Sequence, residues 1–426
     1  MRTAWLWPVT LLAFCHLQAI ASMQVVNILV DPIKLSLHIS DTQYSLLQGA
    51  ALAVFAVVVG LPVARIADRA SRRNIILLGV LGWSAGSLLC AVAQTFAQLL
   101  AARALVGIGE IVLFPAALSM IYDLAPRQRL ATAIGLFGSG GPLGAALALI
   151  GGGWLLSLAD ETGRLTDGLP GVAAWRIAFL ACAVFGLFAV AGLLTIREPV
   201  RHTAGAASAA RVPLGRHLQH AWPVYAGVSG GFILLSTAVF AVNAWAPTFL
   251  VRVHHLGYEA AGRLTGLAAI GCAVAGAWCA GLGVDYLQRR RRDDGAVLAS
   301  GVISLSLAAA IAGAVYSTSL LAAAIFLCVA YFLLGMPTVL GGTALQQISP
   351  SHLRAQIMAA HVLLVNVFAL SAGPTAVALL TDRYFASTAR VGYSIAITVL
   401  ATTALAAFLL LQVRRPFVAA RAASAD

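Results

Sequence analysis

About a dozen apolar runs, each long enough to cross a lipid bilayer, leave this chain little choice of fold. A helix needs roughly 20 apolar residues to span the hydrocarbon core. The runs fall near 6–30, 44–66, 74–93, 98–122, 130–156, 175–196, 222–250, 260–284, 296–316, 319–345, 354–380 and 391–413. A membrane β-barrel would show short alternating segments instead. The chain is 61% hydrophobic and 10% charged, against about 25% charged in a soluble domain, so it has too little polar surface to cover a soluble core. The expected class is an all-α polytopic membrane protein of twelve transmembrane helices, with the bilayer as its first partner.

The formal net charge of +12 is held in short loops between the runs, where it acts as a topology signal rather than a nucleic-acid surface. If both termini are cytoplasmic, about nineteen basic residues lie inside and seven outside. The outer set is Lys34, Arg164, Arg176, Arg252, Arg263, Arg383 and Arg390. That bias predicts cytoplasmic termini and an even number of spans. Arg2, the first apolar run and the "AIA" at 19–21 imitate a signal peptide, but the run continues to Val30, so it is read as span one.

Several chemistries are excluded. The six cysteines all fall in apolar runs without a Cys-x-x-Cys pair, so no disulfide framework or zinc site is expected. A Walker A loop needs a lysine after a glycine-rich turn, and the only lysine is Lys34 in "DPIKLS". No H-E-x-x-H, G-x-S-x-G or dinucleotide fingerprint is present. The chain is expected to be neither an enzyme nor an ATPase, and to need no cofactor or metal.

Two halves repeat each other. "ARIADRASRR" follows span two and "GLGVDYLQRR" follows span eight, giving Asp68 with Arg72 and Asp285 with Arg289. "LAPRQRLA" precedes span five and "ISPSHLRA" precedes span eleven; span five carries "GGP" and span eleven "AGP". Three paired features in one order imply parallel repeats, as in major facilitator transporters. The expected organisation is a six-helix bundle over 1–196, a cytoplasmic linker over 197–220 rich in Ala, Gly, Ser and Arg, a second bundle over 221–413, and a cytoplasmic tail over 414–426.

"ARIADRASRR" resembles the loop-two motif of the major facilitators, G-x-x-x-D-R-x-G-R-R, with Ala64 and Ser71 at two of its glycine positions. "VDPIKLSLHISDTQYSLLQG", "RALVGIGE" and "FPAALSMI" resemble the bacterial spinster-like branch. The resemblance implies a major facilitator fold in a bacterial cytoplasmic (inner) membrane. It also implies a substrate such as an amphipathic lysolipid. One departure stands out: where spinster-like proteins carry an Asp-Arg pair on span one, this chain has Ser22-Met23, so the acid often linked to proton coupling is missing.

The candidate site residues follow. Arg103 and Glu110 lie seven residues apart in span four, nearly two turns, so both point to one helix face with Gly107 and Phe114. Charges within a span are expensive and should face a wet cavity or a partner. The plainer reading is an internal clamp between helices. By resemblance, Arg103 would meet an anionic head group or Glu110, and Glu110 would be the protonatable group. Asp68 and Arg72 are either solvated loop charges or, by resemblance, part of a cytoplasmic latch in which Arg72 pairs with Asp123 at the end of span four. Asp285 and Arg289 form a weaker second copy, because Gln347 stands in the place of Asp123. Gly141-Pro142 and Gly373-Pro374 are candidate hinges. Among the lone polar residues in spans, Asn243 and His361 are the candidate cavity residues, and His16, Asn27, Gln48 and Asn366 read as interhelical hydrogen-bonding groups.

The expected function is a secondary or facilitative transporter acting as a monomer by alternating access. Its partners would be an amphipathic or anionic small molecule and, as a second candidate, protons. Uptake of a small organic anion and a non-transporting sensor or scaffold of the same fold are the competing expectations.

Overall fold

The computed structural model describes residues 5–50, 71–111, 113–162, 173–199, 214–290, 292–350 and 353–423. Among them, eleven helical segments are long and apolar enough to cross a membrane. Numbered by the runs above, they are span one Leu6–Ile28, three Arg72–Val92, four Phe96–Leu124, five Leu130–Leu158, six Ala174–Thr195, seven Ala221–His254, eight Tyr258–Arg289, nine Gly295–Tyr316, ten Leu320–Ile348, eleven Gln356–Tyr384 and twelve Thr388–Gln412. Most of span two falls outside the described residues, and so does Asp68. The described residues contain helices and turns but no strand. Backbone groups in hydrocarbon must find partners within their own segment, which is why helices carry the crossings.

By contacts the chain divides into two compact units. Unit 1 is Met1–Ala204 with Ala246–Ile270; unit 2 is Gly205–Trp245 with Gly271–Asp426. The end of span seven and the first third of span eight therefore pack with the first unit, although they follow the linker in sequence. Glycine is one reason. A Cβ at Gly262 would lie 2.1 Å from the Leu149 carbonyl oxygen, and one at Gly153 would lie 2.4 Å from that of Tyr258. Lipid tails are as apolar as leucine, so helices in a bilayer associate through close backbone approach rather than a hydrophobic drive.

The same device repeats inside each unit. In unit 1, a Cβ at Gly140 of span five would stand 2.6 Å from Ala13 O and 2.9 Å from Leu17 N of span one. In unit 2, a Cβ at Gly373 of span eleven would stand 2.4 Å from Thr237 O and 2.9 Å from Ala241 N of span seven. The glycine beside each proline motif is thus pressed on the helix that opens its own half. Gly144 extends the contact, 2.2 Å from Leu17 O by the same measure. Pro142 sits inside an unbroken helix, Leu130–Thr162. Pro374 follows a π-helical turn at Val365–Ala369, and its carbonyl accepts a 3.0 Å hydrogen bond from Trp245 Nε1. The core of unit 1 gathers Leu12, Trp83, Met120, Phe137 and Leu193, all buried.

Candidate functional site

Arg103 is wholly buried in the first third of span four. Its Nε donates to Leu47 O at 3.2 Å, Nη1 to Ser22 O at 2.8 Å and Nη2 to Met23 O at 3.1 Å. These carbonyls exist because the α-helical ladder is interrupted at both places. Span one tightens from α-helix to a 3-10 turn at Val25–Ile28, and Leu47 lies in a π-helical turn, Leu46–Ala50. Carbonyls at such ends lose their usual partner four residues on, and a planar guanidinium is suited to serve several at once. Each of the three Arg103 nitrogens donates to a backbone oxygen, and among the described residues it makes no ion pair, while its charge still acts on Glu110 across the span.

Glu110 differs. It is half-buried, and among the described residues it makes no hydrogen bond or ion pair. Gly107 is buried, whereas Phe114, one turn further on, is 51% exposed. The seven-residue spacing thus yields one wholly buried arginine and one half-buried carboxyl. In unit 2, Asn243 is half-buried. His361 is 9% exposed and its buried Nδ1 has no hydrogen-bond partner.

On the linker side of unit 1, Arg72 is the centre of a dense network. Its Nη1 donates to Asp123 Oδ2 at 2.5 Å and to Ser119 O at 3.0 Å; its Nε donates to Glu198 Oε1 at 3.0 Å and its Nη2 to Pro199 O at 3.1 Å. Glu198 escaped the sequence reading. It accepts from Ser71 Oγ at 2.9 Å and from the backbone N–H of Arg73 at 2.8 Å, so it sits on the N-terminus of span three, where the helix dipole favours an anion. Burial pushes the Glu198 carboxyl up, but the Arg73 amide, the Arg72 side chain and Ser71 outweigh it and hold the carboxyl below its ordinary value. The signal was the "REP" just after span six. Asp285 and Arg289 are exposed, and neither makes a hydrogen bond or ion pair among the described residues. Other charges of unit 2 do pair, Arg414 with Asp294 and Arg421 with Asp293.

On the opposite side of unit 1 lies a second network that the sequence reading treated only as topology charges. Arg252, at the end of span seven, donates to Asp31 Oδ1 at 2.6 and 2.9 Å. It also donates to both oxygens of Asp41 at 2.8 Å. Lys34 completes it by pairing with Asp41. Asp41 is fully buried. Burial would raise its carboxyl; Arg252 and Lys34 outweigh that and hold it below its ordinary range. The preceding Ser40 forms a capping box with Gln43 that fixes the short helix Asp41–Ser45. That S-x-x-Q pattern was legible; the pairing across 211 residues was not.

Comparison with known proteins places this geometry in a family. The solved structure of a bacterial homologue of the human lysosomal transporter spinster, inward-facing and unoccupied, superposes with a TM-score of 0.82 over 99% of this chain and 98% of that one, at 22% identity. An efflux pump of the major facilitator type from Mycolicibacterium smegmatis is 27% identical over 62% of this chain and 58% of its own length. The Drosophila melanogaster protein spinster is 28% identical over 58% of this chain and 39% of its own length. The chain thus covers less than two thirds of these curated relatives. The family model of the Major Facilitator Superfamily, however, matches residues 12–374, and with that extent of match and eleven membrane-length helices among the described residues, the chain is a multi-pass membrane protein belonging to the major facilitator superfamily of transporters.

Proposed function

We propose that this chain is a secondary transporter that moves an amphipathic small molecule by alternating access, with Glu110 as its coupling residue. The observation that carries the reading is the contrast within span four. Arg103 is consumed by three carbonyls, while Glu110 stands half-buried without a partner among the described residues. An ionised carboxylate on a lipid-facing surface at mid-membrane costs about 2.5–3.5 kcal/mol or more. An unpartnered one therefore belongs on a wet path, where it can exchange a proton as its surroundings change. An amphipathic substrate is favoured over a small anion because Arg103 is wholly buried and donates to backbone carbonyls. Export is favoured because a relative is named as an efflux pump. A non-transporting scaffold has no use for a lone carboxyl there.

The arginine tally supports cytoplasmic termini and linker in a bacterial inner membrane. An impermeant thiol reagent applied to intact cells, on a background without the native cysteines, should modify Thr166→Cys and spare Ala206→Cys. Modification of Ala206→Cys would reverse the topology. The transport reading itself is tested by flux in proteoliposomes. Lysophosphatidylcholine and the organic cation ethidium should be offered in turn, and protein-dependent movement of at least one is expected. Movement of neither would favour the scaffold.

A further inference from the structure

His16 lies in the middle of span one, packed on spans four and five. Its Nδ1 is 3.0 Å from Phe137 O. A carbonyl only accepts, so Nδ1 carries the hydrogen, and in the neutral ring the lone pair is on Nε2. The ring stacks on Phe137 at 4.7 Å with 20° between planes. It meets the edge of Phe114 at 5.7 Å and 70°, and Phe114 and Phe137 lie 5.5 Å apart. Phe137 is buried at 1% exposure, whereas Phe114 is half-exposed and His16 half-buried. Gly141 stands opposite: a Cβ there would approach His16 Cε1 to 3.3 Å and Nε2 to 3.6 Å, so glycine leaves that edge uncovered.

One turn before Phe114 is Glu110. The electrostatics of this face have a definite sign. The Arg103 guanidinium donates to the carbonyls of Ser22, Met23 and Leu47, so the charge that makes no hydrogen bond or ion pair here among the described residues is the carboxylate. Aromatic faces attract cations, and more strongly when water is scarce. A flat ring can lie against the open side of Phe114, as aromatic pairs do.

We propose that His16, Phe114 and Phe137, with Glu110 one turn away, form a binding site for a flat organic cation bearing an N–H group. The cation's ring rests on Phe114, its N–H donates to His16 Nε2, and its positive charge is directed at Glu110. This assignment rests on the reading of the face as a transport path and names the class of substrate that takes it.

Ethidium is flat, cationic and carries amino groups, so it is the probe. Its binding to the full chain in lipid nanodiscs is read by fluorescence anisotropy, with empty nanodiscs subtracted. Phe114→Ala, His16→Ala and Glu110→Gln should each weaken binding by about tenfold or more. Phe114→Tyr keeps the ring and should stay within about threefold. Phe185→Ala, on a half-exposed position of span six, should change nothing. The anion 1-anilinonaphthalene-8-sulfonate should not compete. The site is refuted if wild type fails to bind ethidium, if Phe114→Ala and Glu110→Gln bind it as tightly as wild type, or if the anion competes equally well. Cluster-dependent binding with flux of neither ethidium nor lysophosphatidylcholine in proteoliposomes would uphold the site and remove the transport reading. Unaltered ethidium flux in the cluster variants would do the reverse.

Discussion

Arg103→Ala is expected to destabilise the protein strongly. The change strands three carbonyl oxygens that now accept from one guanidinium. In a buried site each stranded group costs about 1–3 kcal/mol, and hydrocarbon offers no water to take over. A loss of about 3 kcal/mol or more is expected after partial relaxation. Arg103→Lys should recover little, because the acceptors come from two separate chain segments and a single ammonium cannot reproduce the fork. The measurement is the thermal unfolding midpoint in detergent: it should fall sharply for both variants and stay near wild type for Glu110→Gln. An Arg103→Ala protein of normal stability that had lost only its affinity for an anion would return Arg103 to a binding role.

The two charge networks of unit 1 should act in opposite senses. Arg252 ties the end of span seven to Asp31 and Asp41 beside span one, and we propose that this tie favours the state closed on that side. Arg252→Ala leaves Asp41 buried with only Lys34, and losing one member of a buried charge group costs about 3–5 kcal/mol. The resting population should move toward opening on that side. Arg72 holds the start of span three against Asp123 and Glu198, and we propose that this network favours the state closed on the linker side. Arg72→Ala should move the population the other way and slow transport; Asp285→Asn should do less, since Asp285 is exposed and without an ion pair among the described residues. Single cysteines near each mouth, labelled with an impermeant reagent in both variants, read the direction. A shift of the same sign in both would contradict the assignment.

Much of this was legible in the residues. Membrane class and span number come from apolar runs that nothing but a bilayer can satisfy, and the repeat from paired Asp, Arg and Gly-Pro features. Helical spacing put Arg103 and Glu110 on one face, but it could not say that one would turn inward. That depends on carbonyls released by a 3-10 turn at Val25–Ile28 and a π turn at Leu46–Ala50, which are tertiary compromises without a local code. The Arg252 network joins residues more than 200 positions apart, beyond any periodicity. His16 was visible as a polar residue in a span, but its companions Phe114 and Phe137 look like ordinary core residues until span five is packed on span one through Gly140 and Gly144.

The central claim is that span four divides its labour: Arg103 holds the fold and Glu110 carries the proton. It is tested most directly by Glu110→Gln in proteoliposomes, using whichever of lysophosphatidylcholine or ethidium the wild type moves. Glutamine keeps the shape of the protonated acid but cannot release a proton. The variant should still exchange substrate across the membrane at equilibrium, needing about tenfold more of it where the substrate is ethidium, and should no longer accumulate it when a pH gradient is imposed. Full pH-driven accumulation by Glu110→Gln, or a wild type indifferent to the gradient, would contradict the claim.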